Sequence, residues 1–591
     1  MRAMPCRTLR SASPALLALW LALVPAAAAA SVPRGQAQTG PHAYVQGRLA
    51  AAEDDLPLAA RRFEQALAAT AGSDGTLERR ALDVALTGGD MKAAVRLARR
   101  VPLPAGSEGG AAGLGDSIVL LVRATDSMAV RDWRGYAAAR QALGAQGRLG
   151  DTSPMVGALV EAWGLAGQGR HAEALAVVEA VPPRGAGASY AAEHRAHLLA
   201  VAGRWPEAAD AYAALVAGEG AGVSRLRVAA AAARLEADRG EAGRSAASAL
   251  LDALPGDPLM AEARARLAAD GRIDGRRLGV LPARAADGLA ILYFRIASDI
   301  ARERALGAAL AFGRLGTFAA PHMADGWLLV SDLLARSGKP ELALAALAPA
   351  ERADPWRKPA ALRRAGILGA QERWDEARTL LAGFAGRPDA TAEDWSRLAD
   401  LERRAGRHVE AARGFAEAIA RLDPAASPAV RGQLLFLEGA AHERAGDWPR
   451  AEAALRHAVE LQPDNAVFLN YLGYSLLDRG LKLPEARALI ARAFKAAPDN
   501  GAIIDSMGWA EFKAGNYEEA VRLLEQARAA EPGDPTIADH LGDALWRAGR
   551  RIEARHMWRS AAALQPEADL AERLAAKIDF GLDVALATAR P

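Results

Sequence analysis

Cysteine is almost missing from this chain: Cys6 is the single one in 591 residues. It precedes an apolar stretch, 15–30, that reads as the h-region of a secretory signal peptide behind the basic segment MRAMPCRTLR. Ala28-Ala29-Ala30 before Ser31 fits the cleavage site, and Pro25 breaks the apolar run short of the ~20 residues of a spanning helix. The alternative is a retained membrane anchor. Beyond residue 30 there is no thiol, which excludes disulfides, thiolate metal sites, cysteine nucleophiles and a lipid-attachment cysteine. The reading is an exported, periplasmic protein. Aromatics are also scarce, at 5% against 51% hydrophobic residues, so much of the apolar content is alanine. Alanine favours closely packed helices over a β-sandwich. Charge of one sign is lacking too. The net charge is +2, and Arg2, Arg7 and Arg10 fall in the stretch to be removed, which leaves 2 − 3 = −1. A nearly neutral chain without a basic run has no footprint for nucleic acid. No later segment has 18 unbroken apolar residues, so no spanning segment is expected after signal cleavage.

What the chain does have is a repeat. Prolines 463, 498, 532 and 566 are spaced by 35, 34 and 34 residues, and Gly473, Gly508 and Gly542 keep the same step. Alanines 451, 486, 520 and 554 form a second column, and alanines 458, 493, 527 and 561 a third. A 34-residue period with small residues at fixed places is the tetratricopeptide signature, and the chain resembles that family. The repeat from Gly501 shows Met507, Gly508, Ala520, Leu524, Ala527 and Pro532; the next, from Pro535, shows Leu541, Gly542, Ala554, Trp558, Ala561 and Pro566. The register runs back to repeats near 290, 324, 358 and 392, with Trp327 and Trp395 at the fourth position, and an insertion at 426–431 before the repeat at 432. In the looser N-terminal half, repeats occur at 45–69, with Gly47 at the glycine position, and at 155–179 and 192–216, while 75–102 and 117–147 read as degenerate helical pairs. The expected fold is an all-α tetratricopeptide solenoid, a right-handed superhelix of antiparallel helix pairs. Its expected parts are a signal peptide (1–30), degenerate helical repeats (31–267), a connecting segment (268–289), eight repeats (290–568) and a capping helix with tail (569–591). The Gly-rich stretch 101–117 reads as a loop.

Catalytic motifs do not assemble. His194 and His197 stand i, i+3 on an expected helix without an acidic partner set and read as surface side chains; no H-E-x-x-H occurs. The stretch SEGGAAGLGDS lacks the G-K-[ST] of a phosphate loop, and GRSAA is not a nucleophile elbow. Asp505 and Ser506 are sequence neighbours that point apart on a helix. No enzyme, cofactor or metal site is expected.

The family resemblance implies a groove lined by particular positions of each first helix. Carried over, these give Asn470, Tyr474, Asp505, Trp509, Phe512, Asp539, Asp543 and Trp546, with Arg547 beside them. The set is aromatic and acidic, which suits recognition of a protein segment. The alternative is that the aromatics pack between neighbouring helices and that the carboxylates cap and pair locally. A Lys/Arg/Asn clamp for a carboxylate tail is not supported. The blocks NYLGYSLLDRG, DSMGWAEFKAG and DHLGDALWRAG resemble exported bacterial tetratricopeptide proteins, among them a periplasmic adaptor lipoprotein of a carboxyl-terminal processing protease, although the lipid-attachment cysteine of that protein is lacking here. The implied function is a non-enzymatic exported scaffold or adaptor. Its partners would be protein or peptide segments, with a periplasmic protease and its substrates, or envelope assembly, as the setting. The alternative is a scaffold of a polysaccharide synthesis or export system.

Overall fold

The structure, a computed structural model, describes residues 40–69, 75–101, 114–145, 153–182, 184–218, 223–254 and 256–584. The expected signal peptide and the tail beyond 584 lie outside them, as do 102–113 of the expected loop; 114–117 instead open a helix. The fold is all-helical. Along the chain come Gly40–Ala52 (α1), Leu56–Ala69 (α2), Gly75–Gly88 (α3), Met91–Arg100 (α4), Leu114–Ala129 (α5), Trp133–Ala145 (α6), Ser153–Gly167 (α7), His171–Glu179 (α8), Ala186–Val201 (α9), Trp205–Ala217 (α10), Ser224–Ala237 (α11), Glu241–Leu251 (α12) and Pro258–Asp270 (α13). Then follow Ala285–Arg302 (α14), Leu306–Ala319 (α15), Ala324–Arg336 (α16), Pro340–Ala346 (α17), Arg357–Ala370 (α18), Trp374–Ala385 (α19), Ala392–Arg404 (α20), His408–Ala420 (α21), Pro428–Arg444 (α22) and Trp448–Leu461 (α23). Last come Ala466–Asp478 (α24), Leu483–Ala496 (α25), Gly501–Lys513 (α26), Tyr517–Ala530 (α27), Pro535–Arg547 (α28), Arg551–Ala563 (α29) and Ala568–Phe580 (α30).

The repeat punctuation has a physical cause at each step. Asn465, Asn500 and Asp534 cap α24, α26 and α28 by accepting from backbone N–H groups of the first turn. Each follows its repeat proline by two residues. Within a pair the chain reverses on a left-handed glycine, as at Gly515 (φ +86°) and Gly549 (φ +85°), where any side chain would be strained. The alanine columns Ala486, Ala520 and Ala554, and Ala493, Ala527 and Ala561, are fully buried, so the helices of a pair meet at close range. The insertion at 426–431 becomes extra helix: Ser427 caps α22, Pro428 opens it, and it runs 17 residues.

The helices pack into two units. Of the described residues, one unit holds those up to Ala211 together with Pro282–Ala320; the other holds those of Tyr212–Leu281 and those from Pro321 onward. In the second unit seven consecutive pairs run from α16/α17 to α28/α29, closed by α30. Segment 271–281, expected as a connector, is packed: Ile273, Leu278, Val280 and Leu281 are buried, and Arg225 donates to the Gly279 carbonyl at 2.7 Å.

The pair expected as the first of the eight C-terminal repeats lies in the first unit instead. There α14 packs on α5, α7 and α9, and α15 packs on α3 and α5, so the hairpin lies across the first helices of four successive pairs. Burial explains this placement. Thirteen of the 18 residues of α14 are buried. A helix apolar on nearly every side needs cover all round, whereas stacking covers only part of it. Gly288 lets α14 lie directly on the Trp163 ring of α7, where an added Cβ would come within 2.2 Å. Thr125 and Tyr293 share a buried hydrogen bond of 3.0 Å, and Arg295 reaches Ser189 and Glu193 on α9. Arg314 of α15 is buried and donates to the Thr87 carbonyl at the C-terminal end of α3, where the helix dipole favours a cation.

Candidate partner-binding surface

Seven of the eight side chains expected to line the groove come together on the first helices α24, α26 and α28, in a network that pairs its carboxylates. Trp509 Nε1, and Oδ1 of the eighth, Asn470 on α24, are buried without a hydrogen-bond partner. Asp505, Trp509, Asp539, Asp543 and Trp546 are buried, while Asn470, Tyr474 and Phe512 are half-buried. Both Asp505 oxygens stand 3.0 Å from His540 Nδ1. The imidazole stacks on the Trp509 ring at 4.1 Å, and Trp509 stacks on Phe512 at 4.6 Å. The Tyr474 ring lies 6.4 Å from the imidazole, tilted by 38°. Ser506 donates to the Ala502 carbonyl within its own helix, so it does not extend the Asp505–His540 pair.

One repeat further on, the cation is a lysine. Lys577 of α30 donates to both oxygens of Asp539, at 2.7 and 2.9 Å, and to Asp543 Oδ2 at 2.8 Å. The other Asp543 oxygen accepts from Trp558 Nε1 at 3.0 Å. Beyond α30 the chain turns at Gly581, buries Leu582, and places Asp583 to accept from Trp546 Nε1 at 3.0 Å and from Arg547 at 2.7 Å. Gly581 is required there: φ is +84°, and a Cβ would come within 2.4 Å of the Trp546 ring. α26 thus meets α28 by charge through Asp505 and His540, and α28 meets α30 through Asp539, Asp543 and Lys577.

Burial and like charge set the protonation of this cluster. Burial, together with the neighbouring Asp539, pushes the Asp543 carboxyl up to about 6, with Lys577 pulling the other way. Burial disfavours the charged form of His540, but Asp505 beside it, followed by Asp539 and Asp543, raises it overall.

His540 and Lys577 were not among the expected site residues. The signal for Lys577 was the repeat itself: it stands 34 residues after Asp543, at the same position of the next first helix. The signal for His540 was weaker, a lone imidazole beside Asp539. In the N-terminal half, His194 and His197 are not surface residues as expected: both are buried, 0% and 2% exposed. They lie on α9, against which α14 packs, and that packing could not be read from their spacing. His194 Nδ1 accepts from Trp163 Nε1 at 3.1 Å, and burial pushes the imidazole down to about 3. Burial would raise Glu193 beside it, but His197, His194 and Arg295 hold that carboxyl down at about 2. Among the described residues no group of three or more His, Cys, Asp or Glu is placed to hold a metal ion, and no helix is long and apolar enough to cross a membrane.

Residues 436–501 and 506–551 match the family model described as tetratricopeptide repeat. Among curated proteins, none matches the chain. Solved structures that resemble it include Cut9–Hcn1 of the APC/C hetero-tetramer, at 16% identity over 91% of this chain and 96% of that one, with a TM-score of 0.34. A tetratricopeptide repeat protein from Parabacteroides merdae is 14% identical over 42% of this chain and 96% of that one, TM-score 0.36. MamA from Desulfovibrio magneticus is 20% identical over 30% and 97%, TM-score 0.26. The matched stretch runs from within α22 to the start of α29, on helices paired and capped as described, and there the chain carries tetratricopeptide repeats.

Proposed function

We propose that the protein is an exported, non-enzymatic scaffold that binds segments of other proteins along the first helices of its repeats, as an adaptor for a periplasmic protease or in envelope assembly. The observation that carries the reading is the tetratricopeptide array itself, matched over 436–551 and continuous in its helix pairs from α16 to α29. Export rests on the N-terminal sequence. The carboxylates that would suit a sugar are paired with His540 and Lys577, which weakens the glycan alternative. Open first-helix positions lie further forward: Gly366 of α18 is exposed with nothing within 4 Å of an added Cβ, and Ser396 and Asp400 of α20 are half-exposed. The test is a photo-crosslinking residue at Gly366 and at Ser396 in the native envelope. Discrete protein adducts from these positions are expected, and not from a control on the outer side of α19 such as Thr379. Equal labelling at all three positions, or none at all, would remove the scaffold reading.

A further inference from the structure

The last helix is held differently from those before it. Of the 13 residues of α30 only Leu570, Leu574 and Lys577 are buried, while α28 buries ten of its 13. Leu570, Leu574 and Lys577 follow an i, i+4, i+7 spacing and so share one face. The lysine on that face enters a socket formed by two carboxylates of α28, with three hydrogen bonds between them. Charge in the socket is not balanced. Asp505 on α26 and Asp539 and Asp543 on α28 face His540 and Lys577, which leaves one negative charge in excess even with the imidazole protonated. Arg573 of α30 remains exposed at the edge. A desolvated carboxylate pair needs a cation. Nothing in the geometry requires that the cation belong to this chain.

We propose that the Asp539–Asp543 pair is a binding socket for one basic side chain carried on a leucine-bearing helix, that α30 is its resident occupant, and that a partner segment of the same leucine–lysine pattern takes its place. The identity of the occupant as a partner rests on the scaffold reading; the socket does not. Further support comes from Asp543, whose carboxyl burial has pushed up to about 6. The closed socket therefore holds its second charge reluctantly.

The test uses the full chain with a protease site inserted between Gln565 and Pro566, in the short connection after α29. Cleavage makes the segment from Pro566 onward a separable ligand, and a fluorescent synthetic peptide of residues 566–584 is the probe. The nicked protein should exchange its own segment for the labelled one, and a peptide carrying Lys577→Glu should compete at least about tenfold less well, the loss expected from reversing one buried charge pair. The variant Asp539→Asn/Asp543→Asn should lose the preference for lysine while hydrogen-exchange protection of α26 and α27 stays in place. Exchange that is indifferent to the lysine, or a nicked protein that never takes up the probe, overturns the socket. If the peptide exchanges but no envelope protein is crosslinked, the scaffold reading fails and the socket stands. If partners are captured while the peptide does not exchange, the socket falls alone.

Discussion

Gly508 and Gly542 show how one atom decides the spacing of a helix pair. Glycine inside a helix costs about 1 kcal/mol relative to alanine, yet both sit mid-helix and are buried. A Cβ at Gly508 would come within 2.7 Å of Leu524, and at Gly542 within 2.4 Å of the Trp558 indole. Replacement by leucine at Gly508 should destabilise the array by about 1–3 kcal/mol or more through overpacking, read as a fall in denaturant midpoint; an unchanged midpoint refutes it. The two sites should also differ. Leu524 is a flexible side chain, whereas Trp558 is fully buried and tied to Asp543. Gly542→Ala should therefore cost more than Gly508→Ala in the same measurement. These glycines were legible because the 34-residue step repeats them. The charge pairs were less so: the carboxylates were visible at their family positions, but their partners belong to the next helix, and a period shows which positions recur without showing which of them meet. The carboxylates are paired, with side chains 34 to 38 residues further along the chain.

The hairpin α14–α15 makes the same point for an element. Its sequence keeps the repeat step, with Ala309 at the alanine position and fully buried. The period therefore predicts a stacked pair, and the pair does form. What distinguishes it is the run GLAILYFRIA, apolar except for Arg295. That run carried the information, because a stacked first helix leaves one face to the groove and this stretch is apolar on nearly all sides. Its seat can be attacked at Gly288, which has no room beside the Trp163 ring. Gly288→Leu should lift α14 off α7, since Trp163 is fully buried and cannot swing away. The expected outcome is a loss of hydrogen-exchange protection in α5, α7 and α14, with α22 to α25 as internal reference. Retained protection in α7 would show that the hairpin is not seated through this contact.

At the scale of the whole molecule, one buried cluster in each unit should answer pH, and the two with opposite signs. In the first, the folded imidazole of His194 titrates near 3, far below its ordinary 6.5. The unfolded chain then binds the proton first, so stability falls as pH drops below about 6.5. Glu193, held at about 2, adds its own loss only below about 4.5. At the C-terminal end of the second unit both shifts run upward. His540 is raised above 6.5, so its contribution is complete at and below that pH and is lost as pH rises through the folded value. Asp543, raised to about 6 from 3.8, takes up a proton in the fold that the unfolded carboxyl would release, so stability grows as pH falls through about 6. Each pH unit inside such a window is worth at most about 1.4 kcal/mol per group. Between pH 7.5 and pH 5.5, hydrogen exchange corrected for its intrinsic pH dependence should therefore show α7 and α9 losing protection and α26 and α28 gaining it. His194→Gln should flatten the first response, and His540→Gln should weaken the second while leaving the part that belongs to Asp543. If both units move in the same direction, the protonation derived for one of the two clusters is wrong, and the single variants identify which.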